Sequence, residues 1–422
     1  MATRRTLIAT TAGLWAASAL TGSAFARPRH VGAHAKATAK AAKSGGDDDD
    51  ADSGPDAQAA GGAPAQTPIG PLDVNAKWAI ITDYNTGGVL LSKDADARIP
   101  PSSLTKLMTA YLTFAMLHQG RLRLDQGLPV SEKAWRMQGS KMFVPLGEQV
   151  PVEQLIQGMV IQSGNDACIV LAEGIAGSED QFVALMNDEA RKMGLSNTNF
   201  RNCTGWPDPQ HYMSVRDIAT LARHIIGDYP EYYHFFSERS FKFNNIDQGN
   251  RNVLVDKGLA DGLKTGHTEA GGFGLCASSD HGGHRVIVVL NGMPSSKVRV
   301  QEGERLMEWA FANFELATVL KAGTVVEEAP VWLGTDKTVG LTVASDLVMT
   351  LPTGWRSRLH AHATYDAPVP APIRRGQPIG QLVLSGDGFA GATVPLVAGN
   401  SVERLALPAR AMAALGHLVG AS

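Results

Sequence analysis

Three short clusters, in one order along the chain, hold side chains that can do chemistry together: Ser103-Leu104-Thr105-Lys106, Ser163-Gly164-Asn165 and Lys264-Thr265-Gly266-His267-Thr268. They supply a hydroxyl with a nearby amine, a second hydroxyl with an amide, and a cation on a glycine-bearing segment. These are the parts that serine acyl transfer to and from a peptide carboxylate needs. A serine hydroxyl is a poor nucleophile until a base takes its proton, and an amine three residues on along a helix can reach it. Pro100-Pro101 cannot continue a helix inward and Ser102 can cap one, so a helix is expected over Ser103–His118 with Ser103 in its first turn. Lys106 then shares the face of Ser103. It serves as a base only when neutral, a form favoured by burial against Leu107, Met108 and Tyr111 and by a second cation at Lys264.

In the second cluster the Ser163 hydroxyl can relay a proton toward a leaving amine. The Asn165 amide can donate to a substrate carbonyl and hydrogen-bond Lys106. A plain turn with Ser163 or Asn165 as helix cap is the rival reading. The third cluster falls on an expected strand, where alternation puts Lys264 and Gly266 on one face and Thr265 on the other. Gly266 leaves room for a substrate backbone, and the N–H of His267 with that of Ser103 can form an oxyanion hole. Singly these signals are weak, since Ser-x-x-Lys arises by chance about once in a chain of this composition; their force lies in the set.

Elements able to position the clusters are legible around them. Lys77–Asp83 and Gly88–Ser92 flank the turn signal Tyr84-Asn85-Thr86-Gly87 and read as a hairpin. Helical patterns follow at Val152–Ile156, Asn165–Ala176, Ser178–Met193 and Ser214–Ile226. Strands return at Asp261–Thr268, Phe273–Ser279 and Arg285–Asn291 as an antiparallel meander, and then comes a helix at Arg305–Phe314. The expected class is α+β: an antiparallel sheet covered by helices, with a helical insertion, over residues 68–326. From 327 to 407 short alternating strands with turn signals predict a small all-β domain carrying no nucleophile-and-base set.

The ends have different compositions. Arg4 and Arg5, the apolar run Leu7–Leu20 and Ala24-Phe25-Ala26 read as an export signal over residues 1–26, by a general or a twin-arginine route. Residues 27–67, rich in Ala, Lys, Gly and Asp and including Asp47-Asp48-Asp49-Asp50, are expected to be a disordered tether. Losing the two arginines of the leader takes the formal net charge of −3 to −5, which offers no footprint for nucleic acid. Three cysteines, Cys168, Cys203 and Cys276, cannot all pair, so packing must hold the fold; Cys168, one turn beyond Asn165, is expected near the site as a small buried thiol. Neither His281 with His284 nor His360 with His362 completes a ligand set, so no metal and no cofactor is expected. Residues 408–422 form a short, barely basic amphipathic tail.

The set Ser-x-x-Lys, Ser-Gly-Asn, Lys-Thr-Gly resembles that of the penicillin-recognising serine enzymes with a β-lactamase/transpeptidase-like domain. Pro101–Thr109, Ser163–Cys168, Asn202-Cys203-Thr204-Gly205-Trp206 and Gly262–Thr268 are similar to the low-molecular-mass penicillin-binding proteins that are D-alanyl-D-alanine carboxypeptidases. The region from about Pro330 is similar to their small β domain. The resemblance implies Ser103 as acyl-enzyme nucleophile, Lys106 as its base, and Ser163 and Asn165 as the second catalytic pair. It implies Lys264, Thr265, Gly266, His267 and Arg299 on the substrate side, although Arg299 taken alone reads as a solvated loop residue. It further implies a peptidoglycan pentapeptide as substrate, β-lactams as covalent inhibitors, and an exported, periplasmic enzyme, with or without peripheral contact of the tail with the inner membrane. A β-lactamase is the alternative enzyme, but the deacylating glutamate of class A has no recognisable counterpart. A non-catalytic wall-binding protein is the alternative outside enzymes, and the intact Ser103, Lys106 and Lys264 argue against it.

Overall fold

The computed structural model describes residues 62–388 and 391–409, so the expected leader, most of the tether and the tail from 410 onward lie outside the described residues. The first region is built on a five-stranded antiparallel sheet. Its strands are β1 (Trp78–Asp83) and β2 (Val89–Lys93) from the start of the region, and β7 (Gly262–Thr268), β8 (Gly272–His281) and β9 (His284–Met293) from its end, ordered β2-β1-β9-β8-β7. Between the two sets come helices α1 (Lys106–His118), α2 (Glu132–Arg136), α3 (Val152–Val160), α4 (Asn165–Ala176), α5 (Glu179–Lys192), α6 (Val215–Asp228) and α7 (Val253–Asp256). Two short antiparallel pairs interrupt them: β3–β4 (Gly127–Pro129, Gln149–Pro151), which brackets α2, and the hairpin β5–β6 (Ser240–Phe243, Ile246–Gly249). The fold class follows the expectation, and these pairs add to it.

The unbroken apolar run Val286–Leu290 has its reason in the position of β9, which is covered on both faces. Ile287 and Val289 pack with the helical insertion, while Val286, Val288 and Leu290 pack with Leu306, Met307 and Ala310 of α8 (Ser296–Asn313). Helix α4 is buried all along Asn165–Ala172, which places it at the centre of the insertion and explains its apolar girth. Helix α8 begins well ahead of the expected Arg305, because Ser295 caps it by accepting from Val298 N–H at 3.1 Å. It then closes on the sheet at Gly303, where a Cβ would lie 2.5 Å from Leu275 Cδ2. Arg299 is therefore a buried helix residue, not a solvated loop residue.

The β-rich region starts at Phe314, ahead of the expected 327. β10 (Phe314–Leu320) leaves α8 directly and pairs with β13 (Leu347–Pro352). A six-stranded sheet with its own core, centred on Leu341, Leu382, Leu384 and Leu396, contains β11 (Val325–Trp332), β12 (Thr338–Val343), β14 (Leu359–Tyr365), β15 (Val369–Pro370), β16 (Pro378–Gly386) and β17 (Ala392–Ala398). The end of the tether is also corrected: Ala65 N–H donates to Leu72 O and Gln66 N–H to Ser92 O, both at 2.8 Å, and Ala65 is buried.

Glu302 of α8 ties this N-terminal stretch down. Its carboxylate accepts from Asn75 N–H at 2.9 Å, from Asn75 Nδ2 at 3.0 Å, and from Arg305 at 2.7 Å. Burial pushes the Glu302 carboxyl up, but Arg305 and the Asn75 amide outweigh it and hold the group below its ordinary value of 4.5. A depressed carboxyl contributes stability above its unfolded value and loses it as pH falls through the folded one. The urea midpoint is therefore expected to fall as the pH drops below the ordinary value of 4.5 toward the depressed folded one. Glu302→Gln should cost about 1–3 kcal/mol at neutral pH and flatten part of that acid slope; identical slopes in the two proteins would remove Glu302 from the account.

Candidate active site

The nucleophile turn is not the first turn of an α-helix. Ser102–Thr105 form a 3₁₀ turn and α1 starts only at Lys106. Nor does Ser102 cap the helix: at φ +52° its Oγ turns to Thr268 Oγ1, 2.9 Å away on β7. The turn is wedged between β7 and the loop 201–206. A Cβ on Gly266 would lie 3.0 Å from Ser103 N, and one on Gly205, at φ +89°, would lie 1.8 Å from Ser102 O. Gly266 thus first admits the backbone of the nucleophile turn itself, a use the sequence reading had assigned to substrate.

Within this wedge the side chains converge. Lys106 Nζ donates to Ser103 Oγ at 2.5 Å and to Thr204 O at 2.7 Å, and Ser163 Oγ donates to Ser103 Oγ at 2.9 Å. Ser103, Lys106 and Ser163 are all buried. Ser163 sits at φ +68°, a left-handed conformation that costs about 1 kcal/mol or more for a serine. The two residues that follow it are anchored, Gly164 N–H on Gly158 O at 2.9 Å and Asn165 N–H on Ser140 O at 2.8 Å.

Asn165 departs from its expected contacts. Its Nδ2 donates to Gln138 O at 2.9 Å, and its Oδ1 is buried without a partner among the described residues. The helix-cap rival fails as well, since Gly164 holds the cap position of α4 and no side chain caps it. Asp166, the next residue, accepts from Met142, Phe143 and Val144 N–H at 2.8–3.1 Å and so wraps the segment 138–144 around the second cluster. Burial is the largest influence on the Asp166 carboxyl and raises it above the ordinary range despite those donors.

Strand β7 is an outer strand whose partner in the sheet is β8, in unbroken register from Gly262↔Ser278 to Thr268↔Gly272. Alternation therefore holds, with Lys264 and Gly266 on one face. Lys264 is buried and donates to Thr265 O at 2.8 Å. The His267 ring stacks on Phe273 at 3.9 Å between centroids, and the Arg299 guanidinium lies 5.7 Å from the same Phe273 ring. A recess of about 360 Å³ is lined by Gln162, Arg251, Ser296 and Arg299; another of about 520 Å³, lined by Pro101, Ser102, Gly205, Trp206, Tyr212 and Thr268, adjoins the nucleophile turn.

Thr204, Gly205, Thr268 and Asp166 lie in segments that the sequence singles out, but spacing assigns them no role, and Arg251 carries no local signal. An Asn followed three residues later by Gly, at Asn202 and Gly205, was the local signal for a tight turn, but nothing in it shows what that turn touches. The three thiols are buried and unpaired, and burial pushes Cys168 up to about 12, which makes it inert beside the site. His284 pairs with Asp83 at 2.9 Å and His281 stacks on Phe311, so both rings have structural partners.

The profile of the D-alanyl-D-alanine carboxypeptidase family matches residues 64–294, and that of the C-terminal domain of penicillin-binding protein 5 matches residues 314–404. The chain is 40% identical over 341 residues to a D-alanyl-D-alanine carboxypeptidase, DacA, of Haemophilus influenzae, covering 79% of this chain and 87% of that one. Its fold is similar to the crystal structure of penicillin-binding protein 5 from Haemophilus influenzae, with TM-score 0.70, 39% identity, and 80% and 100% of the two chains covered. It is also similar to penicillin-binding protein D2 of Listeria monocytogenes in an ampicillin-bound form, with TM-score 0.53, 27% identity, and 57% and 98% covered. With three clusters converging on Ser103 and relatives of this kind spanning both regions, the chain belongs to the D-alanyl-D-alanine carboxypeptidase family.

Proposed function

We infer that this enzyme removes the terminal D-alanine of peptidoglycan stem peptides through an ester on Ser103, and that penicillins acylate the same hydroxyl. The observation that carries the reading is the buried Ser103 Oγ with Lys106 Nζ at 2.5 Å and Ser163 Oγ at 2.9 Å. Lys106 takes the Ser103 proton as Oγ bonds to the carbonyl carbon of the penultimate residue. The C–N bond then breaks, and the leaving D-alanine amine receives a proton through Lys106 or Ser163. Backbone N–H groups of Ser103 and His267 face the developing oxyanion. Water hydrolyses the ester in the second half. An extended substrate suits the outer strand β7, which can pair with one more strand. Export by the N-terminal leader and work in the periplasm fit a substrate in the cell wall. Among the described residues no helix is long and apolar enough to cross a membrane.

Lys264 and Arg299 supply positive charge for the substrate's terminal carboxylate, and losing a hydrogen bond to a charged group costs about 1.5–3 kcal/mol. Arg299→Ala is therefore expected to lower kcat/KM for D-alanine release from a pentapeptide by about 10- to 100-fold, and far less when the terminal carboxylate is amidated. Equal losses on the free and amidated peptides would contradict the role of Arg299. Failure of the wild-type protein to release D-alanine would contradict the reading as a whole.

A further inference from the structure

The loop 202–206 is organised chiefly by the Asn202 side chain, with Thr204 Oγ1 also accepting from Trp206 N–H at 3.1 Å. Asn202 Oδ1 accepts from Thr204 N–H at 3.2 Å, Thr204 Oγ1 at 3.1 Å, Gly205 N–H at 2.8 Å and Trp206 N–H at 3.0 Å, while its Nδ2 donates to Trp206 O at 2.9 Å. A single carboxamide thus closes the loop on itself in the manner of an extended Asx turn. The loop is also fixed from outside at Cys203, whose N–H donates to Glu179 Oε1 at 3.1 Å and whose carbonyl accepts from Thr109 Oγ1 of α1 at 2.7 Å.

What the loop presents is directed at the nucleophile turn. The Thr204 carbonyl accepts from Lys106 Nζ beside Ser103 Oγ, and it helps fix the direction from which the amine meets that hydroxyl. Gly205 lies so close to the Ser102 carbonyl that no side chain fits between them, so a shift of the loop must move the turn. Asn202 contacts three successive residues of the loop, Thr204, Gly205 and Trp206, and so holds the backbone that carries the Thr204 carbonyl.

We propose that Asn202 is a positioning residue for acylation: it sets the Thr204 carbonyl, which aims Lys106 at Ser103. The inference rests on Ser103 being the acylated residue, which peptide mapping of the wild-type penicillin adduct checks on its own.

The test is single-turnover acylation of the full chain by a fluorescent penicillin, separating the half-saturating concentration from the limiting rate constant. Rates are taken only from the fraction that intact mass shows becoming acylated at the end point. Asn202→Ala is expected to lower the limiting rate constant about 30- to 100-fold, the scale of a misplaced catalytic group, and to leave the half-saturating concentration within about threefold. Asn202→Asp keeps the acceptor for the four donors but loses the donor to Trp206 O and sets a carboxylate oxygen against that carbonyl; because the four donors still hold the loop, it should recover the rate to within about fivefold. If Asn202→Ala does not fold, Asn202→Ser, whose shorter hydroxyl cannot reach all four donors, must still slow acylation about fivefold or more. Three results would overturn the proposal: near wild-type rates in the folded alanine and serine variants, equal losses in the alanine and aspartate variants, or a loss confined to the half-saturating concentration.

Discussion

Ser103→Ala is expected to yield a folded protein that neither takes up a penicillin adduct nor releases D-alanine. Removing the nucleophile of a serine acyl-transfer site deletes the covalent route altogether, and losses on the order of 10⁵–10⁶ in kcat are typical of such deletions. The fold should tolerate the change, because alanine fits the same buried space and Lys106 keeps its bond to the Thr204 carbonyl. Intact-protein mass after incubation with penicillin, with a thermal melt as control, gives the answer. A persistent adduct in the alanine variant, mapped to another residue, would move the nucleophile and with it the mechanism.

Lys106→Arg is expected to slow acylation by about 10²–10⁴-fold, the usual contribution of a positioned general base. Arginine keeps a positive charge at the site but does not give up its proton in a protein, so it cannot accept one from Ser103. Its planar fork is also a poor fit where one nitrogen now contacts Ser103 Oγ at 2.5 Å and Thr204 O at 2.7 Å inside a buried wedge. The variant therefore separates base chemistry from charge only when read beside Lys106→Ala, which removes both. Comparable losses in the two would assign the effect to proton transfer, whereas near wild-type acylation in the arginine variant would show that another group takes the proton.

Much of the chemistry is legible in the sequence because it is carried by residue type at short range. Ser103 and Lys106 are three residues apart, Ser163 and Asn165 two, and Lys264 and Gly266 two, so turn or strand geometry alone puts each pair within reach. The sheet was legible for a similar reason: hairpins and meanders join neighbours in the chain, and β7, β8 and β9 follow one another with glycine-bearing turns between β7 and β8 and between β8 and β9. Where the local pattern is largely polar, as at Ser296–Glu304, the segment proved to be helix, started by the Ser295 cap and closed on the sheet at Gly303.

By itself, then, the sequence determined which groups are present, which pairs are local, and that an α+β region precedes a β-rich one. Only the tertiary structure decided how the pairs meet. It brings Ser163 60 residues along the chain to Ser103, and Thr204 98 residues to Lys106, contacts with no signature in spacing. It made Arg299 a buried helix residue and put Gly266 to use against the nucleophile turn. The physical reason is that close approach between distant segments depends on the packing of everything between them, and a backbone that touches a backbone across the fold leaves little more in the sequence than a glycine.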